Sequence, residues 1–174
     1  MTTVFVTVGT ETYPFQRLIG WVDTWAGSAA AEGARVIVQY GTARPPVHAE
    51  GHDYLPFDRV RSLLEEADAV VCHGGTGSVM LARAAGRLPI VVPRLGSEGE
   101  HVDDHQVEFA QRLAGLGKAV LAANEADLTK LLDAATSGAR SFRAESGDPN
   151  VTEAIARFAS LVDGVVPGEG GSGA

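Results

Sequence analysis

Residues 73–78, "HGGTGS", have the make-up of an anion-binding turn. The apolar run "AVVCH" leads into them and the helical pattern "GSVMLARAAG" follows. The first backbone N–H groups of that helix therefore point past the end of a strand, where an anion fits. An ordinary helix start would supply its own carboxylate, and no Asp or Glu lies between His73 and Ala82. Gly74, Gly75 and Gly77 let a phosphate approach the backbone, Thr76 and Ser78 add hydroxyl donors, and His73 adds a ring N–H. The plainer alternative is a tight strand-to-helix turn, capped by Thr76, that holds nothing.

A second polar run, "EGEHVDDHQVEFA" at 98–110, admits two chemistries. His101 and His105 have the spacing that presents two imidazoles to zinc from one helical face, with Asp103 or Asp104 as a third ligand. That geometry needs a helix through both. Asp103 and Gln106 instead match a variant of the capping box, with Val102 and Val107 at the staple positions, which leaves His101 in the loop. The expectation is no metal, and a helix start that presents Glu100, His101, Asp104 and Gln106. Carboxylates and a carboxamide suit the vicinal hydroxyls of a sugar.

The loop after the first apolar run, "VTVGTETYPF", has one glycine where a dinucleotide-binding turn would show G-x-G-x-x-G, so NAD is not implied. No cofactor is expected. Gly9 and Thr10 lie at a strand end facing the same crevice. Glu11 beside them is either a catalytic carboxylate or a solvated acid favoured by the helix dipole.

These segments need a scaffold, and the hydrophobic pattern supplies one. Short β-branched runs at 3–8, 35–40, 53–57, 69–73, 89–93 and 118–122 read as strands. Amphipathic segments between them read as helices, the first with Phe15, Leu18, Ile19 and Val22 on one face. A further helix is expected within 150–164. Such alternation predicts an α/β, Rossmann-like parallel sheet with helices on both faces, with ligands beyond the carboxyl ends of the strands. The reading gives one domain over 1–163 and a glycine-rich, disordered tail over 164–174.

With 174 residues, 45% of them hydrophobic, the chain suffices for one core. The net charge of −8 argues against a nucleic-acid partner and against electrostatic attachment to anionic lipid. The single Cys72 and the absence of a signal-peptide pattern at the start make the cytoplasm the default. A phosphate cradle beside a hydroxyl-reading loop, with "YLPF" entering from a neighbouring strand end, implies a nucleotide sugar as ligand.

"VFVTVGTETYPFQRLI", "HGGTGS" and "PRLGSEGEHVDDHQVEFA", in this order, resemble the single-domain bacterial glycosyltransferases that correspond to the C-terminal, donor-binding half of GT-B enzymes. The resemblance covers roughly residues 3–122 and extends to the catalytic subunit of the dolichol-linked N-acetylglucosaminyltransferase and to exopolysaccharide glycosyltransferase subunits. It implies inverting transfer from a UDP-sugar, without metal, to a lipid-linked acceptor held by a membrane-anchored partner that would recruit the chain to the inner face of the membrane. A homo-oligomer is left open.

By position, His73, Gly74, Gly75, Thr76, Gly77 and Ser78 match the diphosphate loop, and Phe57 matches the residue whose backbone meets the uracil. Glu100, Asp104 and Gln106 match the loop for ribose and sugar hydroxyls, with His101 beside them. Gly9 and Thr10 match the first donor loop. Glu11 stands where many relatives have a histidine, and is nominated as the base. Leu81 stands where relatives often carry an acid, so a ribose contact must come from elsewhere. Two other readings compete: a non-catalytic nucleotide-sugar-binding or regulatory module, and a metal-dependent hydrolase built on His101 and His105.

Overall fold

A computed structural model describes residues 1–144. Six strands, β1 (Thr3–Thr7), β2 (Arg35–Gln39), β3 (Glu50–His52), β4 (Ala69–His73), β5 (Ile90–Val92) and β6 (Val120–Leu121), form one sheet in the order β3-β2-β1-β4-β5-β6. All five strand pairs are parallel. The helices are α1 (Gln16–Ala26), α2 (Phe57–Glu66), α3 (Thr76–Ala84), α4 (His105–Gly115) and α5 (Glu125–Thr136).

A parallel sheet must be covered on both faces, so its central strands are apolar throughout rather than alternating. Alternate residues then sort to opposite sides. Val4, Val6, Val36, Val38, Val71, Ile90 and Val92 join the core formed with Leu18, Ile19 and Val22 of α1 and Leu128 and Leu132 of α5. Phe5, Ile37 and Val70 pack against Leu63 and Leu64 of α2 and Ala82 of α3. Cys72 and Val91 meet Val79 of α3 and Ala110 of α4.

The chain runs outward from β1 to β2 and β3, then returns to place β4 on the other side of β1. This reversal leaves a crevice at the carboxyl ends of β1 and β4, bounded by the loops that lead into α1 and α3.

Most strands are a residue or more shorter than their apolar runs, and two segments differ further. The third strand is Glu50–His52 rather than 53–57. It is an edge strand with two exposed residues, so hydrophobic patterning could not reveal it. In the 53–57 segment Pro56 has no N–H to donate, and the amides of Tyr54 and Leu55 go to Asp53 Oδ1 and Gln39 Oε1 instead of a strand partner. The first helix ends at Ala26, and Ala29–Ala31 forms a separate 3-10 turn. The helix expected within 150–164 and the tail at 164–174 lie outside the described residues.

Candidate functional site

β4 ends at His73 and α3 begins three residues later, with Gly75 at its cap and no acid in its first turn. The His73 ring folds over this start. Its Nδ1 accepts the Gly75 N–H at 3.1 Å, which leaves Nε2 carrying the proton and donating to Ser78 Oγ at 3.1 Å. Burial holds the imidazole down at about 4, the Arg94 charge adds to this, and the neighbouring Gln106 amide opposes it. The ring is thus neutral at pH 7, as its hydrogen bonds require.

Two glycines make room for this ring. A Cβ on Gly9, which has φ +73°, would lie 2.3 Å from His73 Nε2, and one on Gly75 would lie 2.1 Å from Cε1. Gly74 answers to a different neighbour: a Cβ there would come within 2.9 Å of both Cβ and the carbonyl oxygen of Gln106. Its lack of a side chain serves the packing of α4.

The first loop is tied down by Gln39, a buried amide at the end of β2. Its Nε2 reaches Thr7 Oγ1 at 3.3 Å and Gly9 O at 3.1 Å, while its Oε1 accepts Leu55 N–H at 3.2 Å. One side chain therefore joins the loops that follow β1 and β3.

Arg94, directly after β5, does the same on the other side. It has no exposed surface. Nη2 donates to Val8 O at 2.9 Å, and Nη1 donates to Tyr13 O at 2.7 Å and to Glu100 O at 3.1 Å. The guanidinium lies over the Phe15 ring at 4.7 Å. Burial lowers its pKa, while Glu11 and Glu100 favour the charge.

Glu100 is 4% exposed. Its Oε1 accepts Arg17 Nε at 2.9 Å, and its Oε2 accepts Arg17 Nη2 at 2.7 Å and the Leu95 N–H at 2.9 Å. Both oxygens expected to meet sugar hydroxyls are thus engaged within the protein. Gln106 is also buried and accepts the Arg94 N–H at 3.2 Å. Asp104 is exposed and accepts the Gly96 N–H at 2.9 Å.

The expected capping box is not formed. α4 starts at His105 with Asp104 at its cap, and Gln106 turns inward because the buried Arg94 N–H needs an acceptor. Asp103 Oδ1 accepts the His105 N–H at 3.0 Å. His101 lies in the loop before the helix, so it shares no helical face with His105. Among the described residues no group of three or more His, Cys, Asp or Glu is placed to hold a metal. His101 Nε2 instead lies 3.9 Å from Glu11 Oε1, and its Nδ1 lies 3.2 Å from Asp103 Oδ1.

A cavity of about 620 Å³ opens at the crevice. One wall is the first loop, with Gly9, Thr10 and Glu11; the floor is His73, Gly75, Thr76, Gly77 and Ser78. The far wall is mostly apolar, with Leu55, Phe57, Val60, Leu64 and Leu81, and Tyr54 stands at its rim. Gly74, Glu100, His101, Asp104 and Gln106 do not line the cavity. Cys72 takes no part either, since burial pushes its thiol up to about 12 and it stays protonated.

Arg94, Arg17 and Gln39 have structural roles here that the sequence reading did not single out. Gln39 left one signal, an amide closing the apolar run "RVIVQ".

Comparison with known proteins agrees with this architecture. The UDP-N-acetylglucosamine transferase subunit ALG13 of Yarrowia lipolytica is 29% identical over 121 residues, which cover 63% of this chain and 59% of that protein. The crystal structure of the glycotransferase of kitacinnamycin superposes with a TM-score of 0.59 at 20% identity, covering 96% of this chain and 44% of that one. CalG4, the calicheamicin glycosyltransferase, gives 0.56 at 19% identity, covering 95% and 43%. The chain thus spans under two thirds of the first protein and under half of the other two. Its residues 3–162 match the glycosyltransferase family 28 C-terminal domain, and the chain belongs to that family.

Proposed function

We propose that this chain is the donor-binding, catalytic part of a glycosyltransferase that moves a sugar with inversion from a UDP-sugar to a lipid-linked acceptor. The acid-free start of α3, opening into a cavity at the reversal of strand order, carries the reading. The donor diphosphate would lie on the amides of Thr76, Gly77 and Ser78, with the two hydroxyls beside them. These groups neutralise the charge that grows on the leaving phosphate, where stabilisation lowers the barrier.

The acceptor hydroxyl attacks the anomeric carbon from the face opposite the diphosphate. A carbon–oxygen bond forms as the sugar–phosphate bond breaks, and the configuration inverts. Glu11, in the cavity wall, takes the hydroxyl proton. Asp104, exposed at the cap of α4, is assigned to sugar hydroxyls, and the buried Glu100 and Gln106 hold the loop that carries it through Arg17 and the Arg94 N–H. Phe57 and its neighbours receive the nucleoside.

The acceptor would come from a membrane-anchored partner that draws the chain from the cytoplasm to the inner face of the membrane. Among the described residues no helix is long and apolar enough to cross a membrane, and the Yarrowia relative is named as a subunit. Calorimetric titration with UDP-N-acetylglucosamine, UDP-glucose and GDP-mannose, followed by transfer assays with membranes that contain the partner, tests this reading. Binding of UDP-sugars and transfer only with the membranes present is expected. Natively folded protein that binds no UDP-sugar would refute the assignment. Binding without transfer under any supply of partner would make the chain a nucleotide-sugar-binding module.

A further inference from the structure

Leu81 lines the cavity one helical turn beyond Gly77, on the same side of α3 as the cradle. It belongs to a continuous apolar wall. Leu55, Val60 and Leu81 are each partly buried against the cluster that contains Leu64 and Ala82, and each also faces the cavity. A nucleoside attached to a diphosphate on α3 would extend along this wall. The inference rests on the donor reading above and asks which nucleoside the wall can distinguish.

A ribose is read when a side chain pairs with its vicinal hydroxyls, a task suited to a carboxylate or an amide. Among the described residues the lining offers one carboxylate, Glu11, and one amide, Gln39. Glu11 lies toward the opposite loop, with His101 Nε2 at 3.9 Å. Gln39 is occupied at both ends by Thr7, Gly9 and Leu55. His73 has both ring nitrogens engaged, by Gly75 and Ser78. Leu55, Val60, Leu64 and Leu81 contribute no side-chain hydrogen-bonding group, and the one hydroxyl beside them among the described residues, that of Tyr54, lies at the exposed rim toward Gly41 rather than along Leu81.

We infer that this cavity selects its nucleoside by shape and apolar contact and is indifferent to the 2′-hydroxyl, so that pyrimidine 2′-deoxynucleoside diphosphates bind as well as UDP. Leu81 is the residue that sets this tolerance. A hydroxyl beside Leu81 gains no partner there, so removing it costs nothing. A 5-methyl group on the pyrimidine adds apolar surface against the same wall and should improve binding by up to about 4-fold.

Calorimetric titration of the purified full chain with UDP, 2′-deoxy-UDP and thymidine diphosphate tests the inference. Dissociation constants for UDP and 2′-deoxy-UDP within about 3-fold are expected, with thymidine diphosphate equal or tighter. Leu81→Glu should supply the missing acceptor and favour UDP over 2′-deoxy-UDP by roughly 10-fold or more. Leu81→Gln tests the same point without adding a charge beside the apolar cluster. Should neither variant fold, the ratio measured on the unaltered chain still decides. A 2′-deoxy-UDP affinity more than about 10-fold below that of UDP would overturn the inference while leaving the donor reading in place. Failure of all three diphosphates to bind would overturn the donor reading, and this inference with it.

Discussion

His73 Nδ1 accepts the Gly75 N–H at 3.1 Å, so a neutral imidazole occupies the cap of α3 where most helices place a hydroxyl or a carboxylate. The arrangement satisfies a partly buried amide without putting negative charge at the cradle. It also dictates how the cradle can be probed. Gly75→Val would drive atoms into the His73 ring, 2.1 Å from Cε1, and confound fold with binding.

A cleaner probe is Ser78→Ala, which removes a hydroxyl from the cavity floor and leaves the glycines untouched. Loss of one such bond should weaken UDP about 5- to 30-fold with little change in native circular dichroism. Titration calorimetry on the two proteins measures it. Unaltered affinity would place the diphosphate elsewhere.

The His73 environment predicts a pH dependence of stability. The folded protein holds the imidazole at about 4 against a reference of 6.5, so the unfolded chain binds the extra proton between those values. Stability from this source is complete above pH 6.5 and is lost as pH falls toward 4, by about 3 kcal/mol in all. Urea unfolding between pH 4.5 and 7.5 should show this slope in the native sequence and a smaller one in His73→Gln. Parallel curves would mean that the ring is not buried as described.

The Arg17–Glu100 pair should matter more for stability than a surface ion pair. Glu100 has 5% of its side chain exposed, so Arg17→Ala would leave a buried carboxylate with, among the described residues, the Leu95 amide as its remaining hydrogen-bond donor and the Arg94 charge nearby. Breaking such a pair costs about 3 kcal/mol. Urea unfolding of Arg17→Ala at neutral pH provides the check, and a loss near zero would show that water enters to solvate Glu100.

Asp104→Ala should weaken a UDP-sugar more than it weakens UDP, by about 5- to 150-fold. Gln106→Ala should instead lower stability, because it leaves the Arg94 N–H buried without its acceptor. Equal losses for UDP and UDP-sugar in Asp104→Ala would remove that residue from the sugar subsite.

Glu11→Gln should lower turnover in the presence of the partner by orders of magnitude with donor affinity nearly unchanged, the pattern of a group that acts only in the transition state. Steady-state kinetics and calorimetry together separate the two quantities. Near-normal turnover would move the base to His101, 3.9 Å away, or to the partner.

What the sequence revealed and what it hid follow from locality. The strands β1, β2, β4 and β5 were legible because each is an apolar run buried on both faces, and α3 was legible because its glycines and missing acid are adjacent in the chain. β3 is an exposed edge, Glu50–His52, with no hydrophobic signature. Asp103 and Gln106 carry the local pattern of a capping box, yet the tertiary demand of the Arg94 amide overrides it. The clamps were hidden because their partners are distant in sequence. Arg17 meets Glu100 across 83 residues and Arg94 meets Val8 across 86, and no spacing rule joins such pairs.

The central claim, that the start of α3 holds the donor diphosphate, is tested most directly by heteronuclear NMR of the chain titrated with UDP. The amides of Gly75, Thr76, Gly77 and Ser78 should shift first and furthest, with saturation at one equivalent of bound nucleotide and with Gly9 and Thr10 following. Shifts centred on another strand end, or none at ligand concentrations far above those that saturate other UDP-sugar enzymes, would contradict it.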